Sequence, residues 1–261
     1  VDIRSVTPTV CRLMHVPPPK LSSALPLPLA VEPPKRPVER CLIYCPDAIG
    51  AALLREQPGL FARAIETAPT AIRLRSMLPP KTPVCFASMF TGALPEAHGI
   101  RVYERPVLTC DTIFDALVRA GRRVALAAVR DCSVDTIFRN RKLDYHSEPD
   151  DAAVTRRALT LLAADRHDVI VAYHQEYDDT LHRLSSRCPE ALAAANRHVD
   201  SFAELAAAAR SSWGRRPGLI WFAPDHGAHE VDGKGTHGDD IPEDMEVTHF
   251  VALGRAEVND V

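Results

Sequence analysis

The sequence predicts an α/β fold: a three-layer sandwich with a mostly parallel central sheet and helices on both faces. Three observations predict it. Apolar runs of four to six residues recur with little polar interruption, as strands buried on both faces require. Between them stand stretches of helical periodicity, so strand and helix alternate at the spacing of βαβ units. Proline divides the sequence, with nine of the 22 in the first 40 residues, and so sets the alternating body apart from the segment before it.

Taken in order, residues 7–14 read as a short helix with Pro8 in its first turn, where the missing amide is tolerated. Residues 17–37 carry eight prolines and should run over the surface in extended form, so residues 1–37 form an N-terminal segment. No internal repeat or second linker follows, and residues 38–261 read as one domain. Its strands are expected at 41–45, 124–129, 169–173, 219–223 and 250–253. Its helices are expected at 51–67, 112–120, 151–164 and 190–209, the last with Leu192, Val199, Phe202 and Leu205 on one stripe.

Composition narrows the function classes. A chain of 261 residues buries roughly 70–75% of its unfolded surface, enough to fold without staples. Its 31 Lys and Arg against 34 Asp and Glu leave a net charge of −3, which argues against a nucleic-acid polymer or an acidic membrane as partner. No apolar run approaches the ~20 residues of a membrane-spanning helix, and the first twelve residues have no basic-then-apolar leader. Seven cysteines, irregularly spaced, form neither a zinc motif nor a disulfide framework; reduced thiols in a cytoplasm are the simpler expectation.

In sheets of this kind ligands bind beyond the carboxyl ends of the strands. The residues there are of one chemical type. Asp47 follows the first run; His174, Tyr177, Asp178 and His182 follow the third; Asp225-His226-Gly227 and then His237 follow the fourth. Asp178 and His182 stand at i and i+4 and share a helix face, as an exposed ion pair or a metal site would. Gly227 would permit close backbone approach to a bound ion. In residues 79–92, Thr82 reads as a helix N-cap and Pro83 as the first helical position, with the amides of Val84 and Cys85 free for phosphate oxygens.

This ordered set resembles the alkaline phosphatase superfamily, most closely its nucleotide pyrophosphatase/phosphodiesterase branch. The matching pieces are Pro46-Asp47, Lys81-Thr82 ten residues before Gly92, and Thr91-Gly92-Ala93-Leu94-Pro95-Glu96-Ala97-His98-Gly99-Ile100. They continue with Asp178-x-x-x-His182, Asp225-His226-Gly227 and Gly235-Thr236-His237-Gly238. The resemblance implies a metal-dependent hydrolase of phosphoric esters that works through a phosphothreonine on Thr82. It implies one metal on Asp47, Thr82, Asp225 and His226, and a second on Asp178, His182 and His237. Mixed imidazole and carboxylate donors suit zinc better than magnesium, with manganese or iron as alternatives. Three carboxylates and an ionised Thr82 balance two divalent ions, −4 against +4.

The sequence departs from that branch after the nucleophile. The usual aromatic, Pro and Asn are replaced by Pro83, Val84 and Cys85, which removes an amide that touches phosphate. A phosphomonoesterase and a phosphonate (C–P) hydrolase therefore stand as alternatives on the same site, and a binding module on an inactive enzyme fold as the non-enzyme alternative. A sulfatase is excluded by the lack of any C-x-P-x-R context. Lys81, Cys85, His174 and Tyr177 are the candidate substrate contacts, the substrate being a small phosphate ester or phosphonate. His98 is expected to orient the loop after the nucleophile helix, while Asp244 and its acidic neighbours read as solvated loop. The basic runs at 119–123 and 139–142 read as solvated faces. Residues 7–16 resemble a Pro-Thr helix that some superfamily members carry after their last ligand; here it stands near the start of the sequence.

Overall fold

The computed structural model describes residues 1–30 and 35–254, and part of the proline-rich stretch, 31–34, lies outside them. Nine strands are present among the described residues: β1 (Arg40–Pro46), β2 (Thr70–Arg75), β3 (Val124–Val129), β4 (Asp144–Glu148), β5 (Val169–His174), β6 (Gly218–Phe222), β7 (His229–Val231), β8 (Lys234–Thr236) and β9 (Glu246–Gly254). The helices are α1 (Val6–Leu13), α2 (Ala51–Glu56), α3 (Ala62–Thr67), α4 (Thr82–Thr91), α5 (Pro95–His98), α6 (Ile113–Arg119), α7 (Ser133–Ile137), α8 (Asp151–Ala164), α9 (Glu176–Arg183), α10 (Pro189–Trp213) and α11 (Pro242–Met245).

Seven strands form one sheet in the order β2-β9-β6-β1-β5-β3-β4, with β7 and β8 as a separate ribbon. Only β9 runs against the others, pairing antiparallel with β2 and β6. The four central pairings from β6 to β4 are all parallel, as the sequence predicts. β1, β3, β5 and β6 are the uninterrupted apolar runs, and their side chains are buried on both faces apart from the partly covered Arg40.

The pleat sends alternate residues of each strand into different layers. On one face Tyr44 and Phe222 lie side by side and pack against Phe202 of α10, at 5.7 and 5.2 Å between ring centroids. α8 and α10 make up this layer. On the other face Tyr173 meets Phe86 of α4 edge-on at 5.4 Å, and Phe90, Phe114 and Phe138 close the layer behind it.

Three expectations are corrected. The helix expected at 51–67 is broken by Gln57-Pro58-Gly59 into α2, a 3-10 turn (Pro58–Phe61) and α3, because Pro58 cannot continue the α2 ladder. β2 and β4 were not expected: both are edge strands, half solvated and polar, so they lack the apolar run. The boundary at residue 37 is not a boundary of the core. α1 buries every residue except Arg12, and Ile3, Val6, Val10 and Leu13 belong to the same hydrophobic cluster as the sheet. Thr7 donates its hydroxyl to the Met89 carbonyl of α4 at 2.6 Å. The proline-rich stretch has no α-helix or strand among its described residues and lies mostly exposed, anchored by the buried Leu27 and Ala30.

Because α1 is part of the core, Leu13→Ala should cost about 2–5 kcal/mol in urea unfolding. A cost below roughly 1 kcal/mol would mean that the segment folds on its own and docks loosely.

Candidate metal centre

The carboxyl ends of β1, β5 and β6 bring Asp47, Asp178 and Asp225 to one edge of the sheet, and the start of α4 brings Thr82 beside them. α4 begins at Thr82, so Lys81 occupies the cap position rather than Thr82, and Pro83 sits one residue further in. The one-residue shift frees the threonine hydroxyl from capping. It also occupies the Cys85 amide, which donates to the Lys81 carbonyl at 2.9 Å.

Two groups of donor atoms result. In the first, Thr82 Oγ1 lies 3.5 Å from Asp47 Oδ1 and 3.4 Å from His226 Nε2. His226 Nε2 in turn lies 3.4 Å from Asp47 Oδ1 and 3.3 Å from Asp225 Oδ2. In the second, His182 Nε2, His237 Nε2 and Asp178 Oδ1 form a near-equilateral triangle with sides of 3.1, 3.4 and 3.4 Å. A tetrahedral zinc with ligand bonds of ~2.0–2.1 Å spaces its donors by about 3.3–3.4 Å. The distances from His226 Nε2 and those within the second triangle lie close to that spacing.

Other features of the donors agree. Asp178 Oδ1 and Asp225 Oδ2 are buried and accept no hydrogen bond among the described residues. His226 and His237 place their Nδ1 atoms 3.0 Å from the Gly227 carbonyl and 2.7 Å from the Pro80 carbonyl. Those bonds assign the Nδ1–H tautomer and turn both Nε2 lone pairs into the site. Burial, then the charges of Asp225 and Asp178, pushes the Asp47 carboxyl well above its ordinary range. Burial pushes Asp225 up to about 7. Burial, then the neighbouring His237, pushes His226 well below the ordinary imidazole range. Burial also opposes protonation of His237, but Asp178 and the Pro80 carbonyl outweigh it and the net shift is upward. Crowded carboxylates that resist ionisation, beside a His226 imidazole that resists protonation, are the state that a divalent cation relieves.

A second set of groups holds the donors in place, and the sequence did not reveal it. The Tyr173 hydroxyl donates to Asp47 Oδ2, leaving Oδ1 for the site. Asp151, the first residue of α8, accepts from the Gln175 and Glu176 amides at 3.0 and 2.9 Å and so caps α9, the helix that carries Asp178 and His182. His198 lies 3.0 Å from the same carboxylate. Asp244, expected in solvent, is fully buried; its carboxylate accepts from the Gly238 and Asp239 amides at 2.7 and 2.9 Å and meets His229 Nδ1 at 2.8 Å. Gly227 is needed because a Cβ there would stand 2.0 Å from the Glu243 carbonyl oxygen, so its close approach is to backbone and not to an ion.

Of the candidate substrate contacts, three are corrected. Cys85 is fully buried, its sulfur 3.2 Å from the Ser76 hydroxyl on the core side of α4. His174 follows Tyr173 on β5 and so points into the opposite layer, where its nitrogens meet Tyr44 and Thr155. Tyr177 is buried with its hydroxyl donating to the Ser186 carbonyl. Lys81 does lie at the site, but its ammonium donates to the His237 carbonyl and braces that loop. His98 bridges α5 to Ser88 of α4 at 2.8 Å, in the orienting role expected of it.

The raised Asp225 carboxyl gives a signed pH prediction. In metal-free protein the folded state keeps the Asp225 proton up to about pH 7, whereas an unfolded carboxyl loses it near 3.8. Stability in EDTA should therefore fall as pH rises through that window. Asp225→Asn should flatten the dependence and raise the metal-free Tm at pH 8, by about 2–4 °C per kcal/mol recovered, while losing the stabilisation by added zinc. A wild-type Tm that is constant across the window would overturn this account of the charge crowding.

No protein-family model and no curated protein sequence matches the chain. Solved structures do. Phosphonoacetate hydrolase from Sinorhizobium meliloti 1021, in complex with phosphonoformate, superposes with a TM-score of 0.57 at 20% identity over 76% of this chain and 59% of that one. Murine ectonucleotide pyrophosphatase/phosphodiesterase 5, as an inactive variant in complex with AMP, superposes with a TM-score of 0.59 at 16% identity over 74% of this chain and 58% of that one. The chain thus spans about three-fifths of the length of these structures. Strand order, the single reversed strand and these superpositions together give the chain an alkaline-phosphatase-like fold.

Proposed function

We propose that the chain is a metal-dependent hydrolase of phosphoric esters, of the phosphodiesterase/nucleotide pyrophosphatase type, with Thr82 as nucleophile. The observation that carries this reading is the Thr82 hydroxyl, set within 3.5 Å of both Asp47 and His226 at the edge where the two donor groups meet. Asp47, Thr82, Asp225 and His226 would hold one divalent cation and Asp178, His182 and His237 the other, with zinc the best fit to these donors and manganese or iron the alternatives. Bound there, two such cations would supply positive charge to the phosphoryl oxygens and would make the Thr82 hydroxyl acidic enough to attack at neutral pH.

The chain's own groups do the positioning. The start of α4 fixes the Thr82 oxygen, and Tyr173 holds Asp47 so that one carboxylate oxygen faces it. Thr82 Oγ1 attacks phosphorus, the ester oxygen leaves, and the resulting phosphothreonine is hydrolysed by water. Two in-line displacements retain configuration at phosphorus. With a net charge of −3, and no helix among the described residues long and apolar enough to cross a membrane, a small-molecule substrate is the reading the charge and helices support. Seven unpaired thiols support a reducing, cytoplasmic setting.

A second reading is favoured by one observation. The position where the diesterase pattern has a phosphate-touching Asn is Cys85, and its side chain faces the core. Without that contact a phosphomonoester or a phosphonate is the alternative substrate, and the phosphonoacetate hydrolase neighbour supports the latter.

The test compares a chromogenic phosphate monoester, a diester and a phosphonate monoester with zinc-loaded wild type and Thr82→Ala. Thr82→Ala should lose at least about a thousandfold in kcat/KM on the preferred ester, and a chiral phosphate ester should be turned over with retention. Net inversion would remove Thr82 as nucleophile. Failure to retain two metal ions, with no Thr82-dependent turnover, would leave a binding module on an inactive fold.

A further inference from the structure

Basic residues, three of them from the runs that read as solvated faces in the sequence, converge at the end of the sheet opposite the metal centre. Arg122 and Arg123 lead into β3, Lys142 into β4 and Arg166 into β5, and all four line one cavity of about 470 Å³. β3, β4 and β5 are mutually parallel, so the cavity lies at their amino ends. That places it one strand length, about 20 Å, from the carboxyl edge. Its size falls within the ~300–1,000 Å³ of small-molecule pockets.

Four cations in one concavity stand out in a chain whose net charge is −3. Among the described residues the only carboxylate in the lining is Asp144, which meets His167 Nε2 at 2.6 Å. Among the described residues the side chains of Arg123, Lys142 and Arg166 make no hydrogen bond or ion pair, and Arg122 reaches only the Met14 carbonyl, at 3.4 Å. His167 is 8% exposed, and its Nδ1 has no hydrogen-bond partner among the described residues. Val118, Val124 and Leu143 supply an apolar wall. Like charges facing one cavity repel one another, and a bound anion removes that repulsion. Guanidinium forks match the oxygens of a phosphate.

We propose that this cavity binds a small organic phosphate, its anionic group on Arg123, Lys142 and Arg166 and its apolar body against Val118, Val124 and Leu143. The site is separate from the metal centre and does not depend on the reaction proposed there.

The experiment is calorimetric titration of EDTA-treated protein with inorganic phosphate and with 1-naphthyl phosphate. Without metal, the metal centre lacks the cations that would hold a phosphoryl group there, and Thr82→Ala serves as the control for binding at that site. The comparison protein is the triple variant Arg123→Ala/Lys142→Ala/Arg166→Ala; these side chains are exposed, so its thermal melt and its turnover should match wild type. Wild type should bind one equivalent of 1-naphthyl phosphate, more tightly than inorganic phosphate and more weakly as salt rises. The triple variant should lose at least about tenfold in affinity, and Thr82→Ala none. Equal affinity in the triple variant, or no saturable binding to wild type, would overturn the site. So would an oligonucleotide that binds more tightly than 1-naphthyl phosphate and is lost in the same variant, since the patch would then belong to a nucleic-acid track.

Discussion

Three carboxylates held close together and largely out of water are the constraint from which the rest of this molecule follows. Asp47 and Asp225 are fully buried, and Asp178 adds its charge to theirs. Water cannot solvate them, so the protein arranges what donors it can: the Tyr173 hydroxyl on Asp47 and the Ala48 amide on Asp225 at 3.3 Å. These leave oxygens unbonded and aimed at imidazole nitrogens that are themselves acceptors. Such an arrangement opposes its own folding unless a cation completes it. The flanking structure bears that load, with Asp244 tying the His237 loop and Asp151 tying the ligand helix.

The central strands were legible in the sequence because burial on both faces writes itself as an unbroken apolar run; β1, β3, β5 and β6 all have it. β2 and β4 were not, since an edge strand such as Asp144–Glu148 has one wet side and a polar sequence that reads as loop. The donor groups were legible for a different reason: an Asp after a strand is by itself usually a turn or cap residue, but Asp47, Thr82, Asp178-x-x-x-His182, Asp225-His226 and His237 stand together as one ordered set. Their supports were not. Tyr173 looks like the last apolar residue of its strand, Asp151 like an ordinary helix start 27 residues before Asp178, and Asp244 like one more acid in a charged loop. Each acquires its role only from a partner that chain folding delivers.

β5 shows how a single residue step separates the two kinds of group. Tyr173 and His174 are neighbours, yet one reaches Asp47 and the other meets Tyr44 in the layer of α8 and α10. The sequence places both at a strand end, where either could face a ligand. The pleat decides between them. His174 therefore belongs with Asp151 and His198 in a buried polar network. There, against the cost of burial, the two imidazoles and the Gln175 amide hold the Asp151 carboxyl below its usual range.

The register of the central strands carries a consequence for how the molecule assembles. Asp47 and Asp225 become neighbours only because β1 pairs with β6, residue 44 against residue 222, across most of the chain. The first donor group draws on residues 47, 82, 225 and 226 and therefore does not exist until those distant segments have closed on one another. Closing contacts of such wide sequence separation is slow. A metal ion held by this group could therefore not template the early chain as it does in a small zinc domain; it would bind to a sheet already formed.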